Sequence, residues 1–467
     1  MKNQVNLKSV LAVLFLGIVI WFLPAPEGLS VQAWHLFAIF ITTIIAVIFN
    51  VASIFNLSIV ALAITILTGT LTPSEGYSGF SKGFILLIVV AFLLARGAIN
   101  SGLGERIAYL IIRKLGKSTL GLGYSMAITD AIIAPAFPSN TARSGVLFPI
   151  IQSIAIGGGS RPDDGTGRKL GNFLMMNGVA GLTISSALWL TAMAANPAGV
   201  GIAQDIGIDI NFGSWFLASI VPSLVALAAV PYVLFKVANP EVKHTPEAAE
   251  MANVKLQEMG AVTTKEWIMG ITFILVVLAW ALSGTLEIDK TAIAFLGLSV
   301  VMLTNIFTVD DLKKEGGVLE IWMWFSILYT LSSFLNVLGF MPWLGDKIAI
   351  FLEGYSWPIV YVVLVVSYVL IHYFFVSQTA QMLALYGVFL SVGITAGVPG
   401  TLLALMLLFA TNFFAAITPQ GSSANVIFAA SGYLETQEMY KYGAVITVVN
   451  TVVYLVVGTA WISLLGF

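Results

Sequence analysis

Apolar residues come in long runs along this chain, and the polar breaks between them divide it into elements. A bilayer core takes about 20 apolar residues per helix. Continuous runs lie at residues 9–23, 31–49, 54–72, 83–101, 213–236, 267–283, 290–307, 320–340 and 440–465, and each predicts a membrane helix. Four further stretches, 120–156, 172–203, 357–396 and 400–430, are also apolar but are interrupted by Pro, Gly, Ser, Asn and Thr. The first and third are too long for single helices, and their turns hold too few charges to sit in water. They read as re-entrant hairpins, each leaving on the side it entered. The other two read as crossing helices with a broken middle. The expected fold is an all-α polytopic membrane protein with about 11 transmembrane helices plus two re-entrant hairpins.

Composition sharpens this picture. Of 467 residues, 58% are hydrophobic and 9% charged, against about 25% charged in soluble proteins. Net charge is −2 with no basic tract, so lipid is the expected surrounding and no nucleic acid is invited. No cysteine is present, which removes disulfides and thiolate metal sites; no metal or cofactor is expected. Lys2 and Lys8 flank the first run, which ends in "PAPEG" without a small-residue cleavage pattern. It reads as a retained helix rather than a signal peptide.

Charge also orients the chain. With both hairpins counted as non-crossing and the N-terminus inside, 16 of the 21 Lys and Arg fall in internal segments. Lys82, Lys290 and Lys347 lie outside, and Arg96 and Arg143 stay at membrane depth or its border. That split obeys the positive-inside rule and gives a cytoplasmic N-terminus and an extracellular C-terminus, in an expected bacterial cell membrane. The most polar stretch, 237–266, reads as a cytoplasmic linker with an amphipathic helix. It follows an N-terminal helix (1–30) and a first repeat (31–236), and precedes a second repeat (267–467). The first hairpin enters from inside and the second from outside, so the repeats are inverted. Discontinuous segments at matching places in two halves point to a transporter's binding site.

The hairpin tips carry the candidate chemistry. "PSNTA" at 138–142 is echoed by "VSQTA" at 376–380. Ser139, Asn140 and Thr141, with Ser377, Gln378 and Thr379, offer hydroxyls and amides that either cap the return helices or grip a ligand. "SSALWLTAMAANPAG" (185–199) and "ATNFFAAITPQGSSANVIF" (410–428) hold the two helix breaks. These are either simple kinks or the other wall of the site, to which Thr191, Thr418, Pro419 and Gly421 are expected to contribute. Four helix N-termini converge near mid-membrane, each worth roughly +0.5 charge, and such ends bind anions. The preceding carbonyls face the other way and suit cations. A small dianion fits best.

Arg143 follows the first tip. An ionisable residue at this depth is a functional hypothesis by default. Two readings compete. It forms a salt bridge with Asp130 on the incoming helix, or it is a fixed cation that compensates the substrate's charge, so that only a loaded carrier crosses and transport becomes obligatory exchange.

Together, "PSNTARSGVLFP", "SSALWLTAMAANP" and "ITPQGSSANVIFAASGY" resemble the divalent anion/sodium symporter family. They are most similar to its exchanger branch, the bacterial and plastid 2-oxoglutarate/malate and citrate/succinate antiporters. The resemblance implies an elevator-type secondary transporter of small di- and tricarboxylates, a homodimer with scaffold and transport domains, and substrate carboxylates held by the six tip residues. Sodium-coupled members usually carry Asn where this chain has Gln378, and a "TPPN" break where it has "TPQGSSAN", which puts the second cation site in question. Sodium-independent exchange of C4–C5 dicarboxylates such as 2-oxoglutarate, malate or succinate is the reading adopted. Sodium-coupled symport, with Na+ as co-substrate, is the alternative. A channel would need a continuous polar pathway or charged ring. An enzyme would need a legible catalytic group, but His35, His244 and His372 fall in a span, the linker and a hairpin, and no HExxH or nucleophile–base pairing occurs.

Overall fold

The computed structural model describes residues 7–467; Lys2 lies outside the described residues. Every regular element described is helical. Eight helices are long and apolar enough to cross a bilayer, and three shorter apolar ones are Lys8–Phe22, Ile54–Leu67 and Lys290–Leu303.

One order of elements occurs twice. Val31–Ile48, Ile54–Leu67 and Gly83–Ser101 lead to an amphipathic arm, Leu103–Leu115. A hairpin follows (Thr119–Ile133, then Asn140–Gly157), then a broken helix (Gly171–Leu188, then Ala195–Asp205) and a closing helix, Phe212–Ala238. The second series runs Thr264–Leu286, Lys290–Leu303 and Gly316–Val337, the arm Phe340–Ala349, and a hairpin (Trp357–Ile371, then Gln378–Thr395). Its broken helix is Gly400–Phe413 and Ser423–Ala429, and its closing helix begins at Thr436. Gly102 (φ 76°) and Gly339 (φ 84°) turn the third helix of each series into its arm. That left-handed turn ends a helix at least cost for glycine.

Burial follows from these sequences. All of Gly171–Leu188 is buried, and so is nearly all of Gly400–Phe413, so the first halves of both broken helices form the centre. Thr264–Leu286 instead exposes Ile271, Ile274, Leu275, Leu278 and Leu282, an apolar face that only lipid or another apolar surface can cover. The linker helix Pro246–Met259 packs on the first arm.

Arg106 joins the first arm to the linker: its side chain is 8% exposed and its Nε lies 2.5 Å from Glu266 Oε1. Arg106 Nη1 also donates to the Gly260 carbonyl at 2.9 Å. The arm is thereby tied to the start of the second series. Arg106→Ala leaves Glu266 without its cation and with the Thr263 N–H as its remaining donor, so thermal unfolding in detergent should show a loss of about 1–3 kcal/mol; an unchanged midpoint would mean that this tie does not hold the arm.

Candidate functional site

The two tips have nearly the same backbone. Ser139 lies at φ −146°, ψ 119° and Ser377 at φ −148°, ψ 123°. Ser139 Oγ accepts from the Ala142 N–H at 3.2 Å and Ser377 Oγ from the Ala380 N–H at 3.3 Å. The serines are therefore N-caps, as one of the two sequence readings has it. Helical bonding begins with Arg143 N–H to the Ser139 carbonyl and Gln381 N–H to the Ser377 carbonyl. The N–H groups of Asn140, Thr141, Gln378 and Thr379 thus belong to the first turns, which a helix cannot pair internally.

The tips meet. Asn140 Nδ2 donates to Gln378 Oε1 at 3.2 Å, across 238 residues of sequence, and Thr141 Oγ1 lies 2.5 Å from Ser423 Oγ. All six predicted tip residues line one cavity of about 290 Å³, beside Ser422, Ser423, Met193 and Ala194 from the breaks. Phe92, Ile321 and Trp324, from outside the hairpins, complete the lining, and among the described residues no charged side chain lines the cavity.

Four predicted contacts lie elsewhere. Thr191 is buried and donates to the Pro135 carbonyl at 3.0 Å, fastening the first break to the first hairpin. Thr418, Pro419 and Gly421 lie outside the cavity lining. Thr418 is buried, and its carbonyl accepts from Asn425 Nδ2 at 2.9 Å, while the Gly421 carbonyl faces His372 Nε2 at 2.9 Å. The chain turns away behind the Thr–Pro pair, and the residues that reach the cavity are the cap Ser422 and its neighbour Ser423. An S-x-x-N cap pattern at 422–425, with Ser422 Oγ accepting from the Asn425 N–H at 3.2 Å, was the available signal for them.

Arg143 also sits differently from its proposed role as a free compensating charge. It is fully buried, with Nη1 3.2 Å from Asp130 Oδ2 and 2.7 Å from Ser185 Oγ. Nη2 donates to Asn140 Oδ1 at 2.6 Å and to Ser186 Oγ at 2.5 Å. Ser185 donates in turn to Asp130. The pair is neutral as a unit, so Arg143 presents no uncompensated charge to the cavity. It holds Asn140, leaving that residue's amide nitrogen pointed at Gln378.

From there a chain of buried amides runs round the centre. Gln378 Nε2 donates to the carbonyls of Thr411 and Asn412 at 2.9 and 3.1 Å. Asn412 Nδ2 donates to Asn196 Oδ1 at 2.9 Å. Asn196 Nδ2 donates to the Ser186 carbonyl at 2.9 Å, and Ser186 returns to Arg143 and Asn140. In the second break Asn425 Nδ2 also donates to the Ala415 carbonyl at 2.7 Å. These carbonyls end the first halves of the broken helices, where a bound cation would find its ligands. Side-chain N–H groups already donate to these carbonyls, so each has at most one lone pair left for a cation, while Asn412 Oδ1 and Thr418 Oγ1 at the second break are buried without a partner.

Comparison with known proteins agrees with this architecture. Residues 4–467 match the family described as the sodium:sulfate symporter transmembrane region. The chain is 44% identical over 467 residues to the putative malate transporter YflS of Bacillus subtilis, covering 100% of this chain and 98% of that one. It is 38% identical over 465 residues to chloroplastic dicarboxylate transporter 1 of Spinacia oleracea, covering 99% and 82%. Among solved structures, the Alcanivorax borkumensis YdaH transporter shares the fold with a TM-score of 0.58 at 14% identity, over 92% of this chain and 98% of that one.

Proposed function

Because the chain belongs to the sodium:sulfate symporter transmembrane family, we propose that it is a secondary transporter of small dicarboxylates that exchanges one for another without sodium. The meeting of two polar hairpin tips around one cavity without a charged lining residue carries this reading. A dianion is held there by first-turn N–H groups and capping hydroxyls, one carboxylate to each tip. Relatives named for malate and dicarboxylates supply the substrate class.

Exchange, rather than symport, is favoured by the break carbonyls. Gln378, Asn196 and Asn425 supply the N–H donors that a cation would replace. An empty site still presents unpaired first-turn N–H groups, and moving these past Phe92, Ile321 and Trp324 costs desolvation energy that a bound dianion offsets. Each tip is bonded to its own break, by Ala194 N–H to the Pro138 carbonyl at 3.1 Å and by Gln378 to Thr411 and Asn412. We take the hairpins and broken helices as one body that slides against Gly83–Ser101 and Gly316–Val337 in an elevator motion. The two repeats, oppositely inserted with the N-terminus cytoplasmic and the C-terminus extracellular, form one half of a homodimer.

Liposomes containing the purified protein decide between the couplings. Uptake of labelled malate should need internal unlabelled dicarboxylate and should persist when choline replaces sodium. Uptake into empty vesicles that requires sodium would establish symport instead.

A further inference from the structure

Dicarboxylate binding as proposed engages only the polar lining of the cavity. A further wall is Phe92, Ile321 and Trp324, carried by Gly83–Ser101 and Gly316–Val337, outside the hairpins. Its one polar side-chain atom is the indole Nε1 of Trp324. The amides across the cavity are committed to each other, Asn140 to Gln378 and Gln378 to two carbonyls.

We propose that Trp324 is a specificity-determining residue that limits the substrate to two carboxylates. This rests on the dicarboxylate reading and adds a boundary to it. With one carboxylate at each tip, the carbon chain and its substituents lie against the indole and Ile321. A keto or hydroxyl oxygen there can use a single N–H donor. A carboxylate has about four acceptor sites, and one indole N–H leaves most of them unmet. Against Phe92 and Ile321, which offer no donor, a third carboxylate is disfavoured. The bulk of the indole also leaves less room for the water that would solvate it.

Uptake of labelled malate and of labelled citrate into malate-loaded liposomes tests this. The wild type should favour malate over citrate by about 100-fold or more in kcat/KM, as expected for a buried and poorly paired charge. Trp324→Ser, which opens the wall to water, should narrow that ratio by about tenfold or more. Ile321→Ser, on the same wall with a smaller change of volume, should move the ratio in the same direction and decides the matter if the Trp324 variant does not fold. The ratio compares two substrates in one preparation, so a general loss of active protein cancels. A ratio unmoved in the folded variants, or a wild type that carries both acids equally well, overturns the assignment while leaving dicarboxylate exchange intact. A wild type that carries neither acid removes the dicarboxylate reading itself, and this inference with it.

Discussion

Arg143→Gln is expected to abolish exchange and to lower stability by about 3–5 kcal/mol, the range for breaking a buried ion pair from one side. The substitution leaves Asp130 without its cation at a site with no exposed surface, and it removes the N–H that fixes Asn140 Oδ1. With Ser186 Oγ as its remaining donor, Asn140 is held less firmly, and its amide can turn its oxygen toward the cavity, where a substrate carboxylate meets repulsion instead of a donor. The uncancelled Asp130 charge acts in the same direction. Asp130→Asn combined with Arg143→Gln separates the two effects. Neutralising both partners should recover most of the thermal stability, because replacing a buried pair together is often close to neutral. Exchange should stay well below wild type, because Asn140 still lacks its guanidinium anchor. Thermal unfolding in detergent and counterflow in liposomes read the two quantities separately. A double variant that exchanges at the wild-type rate would show that Arg143 only cancels Asp130.

Much of this was legible in the sequence, for a physical reason. Lipid forces the backbone into helices, so any run that stops being helical is visible as a cluster of Pro, Ser, Asn and Thr. The hairpins read at 120–156 and 357–396 correspond to Thr119–Gly157 and Trp357–Thr395, and the paired tips do meet. The cavity wall was not legible. Phe92, Ile321 and Trp324 have the composition of any lipid-facing helix, and only the packing of distant segments turns them inward. The breaks misled for a related reason. Thr191, Thr418, Pro419 and Gly421 mark where each helix stops, but the cavity is reached where the next one starts, at Ser422 and Ser423. Arg143 and Asp130 were readable as a pair, whereas the anchoring of Asn140 also takes Ser186 of the first broken helix, which only packing brings against the tip.

Gln378→Asn should lower the exchange rate by about 10²-fold, the scale of a misplacement of roughly 1 Å in a binding group, and should make what remains respond to sodium. Gln378 spans a gap. Its Oε1 accepts from Asn140 while its Nε2 reaches the Thr411 and Asn412 carbonyls. Asn is one methylene shorter and cannot serve both ends, so either Asn140 Nδ2 loses its acceptor or the two carbonyls lose their donor. Buried carbonyls left without a donor cost about 1–3 kcal/mol each, and a small cation is one way to satisfy them. Counterflow of labelled malate by the variant, with sodium and then with choline, measures the effect. Stimulation by sodium in the variant alone would identify the amide of Gln378 as the group standing in for a cation. Equal rates in both salts, at a reduced level, would show that these carbonyls are not cation ligands even when freed, and sodium independence would then rest on Asn196 and Asn425, whose amides hold the remaining break carbonyls.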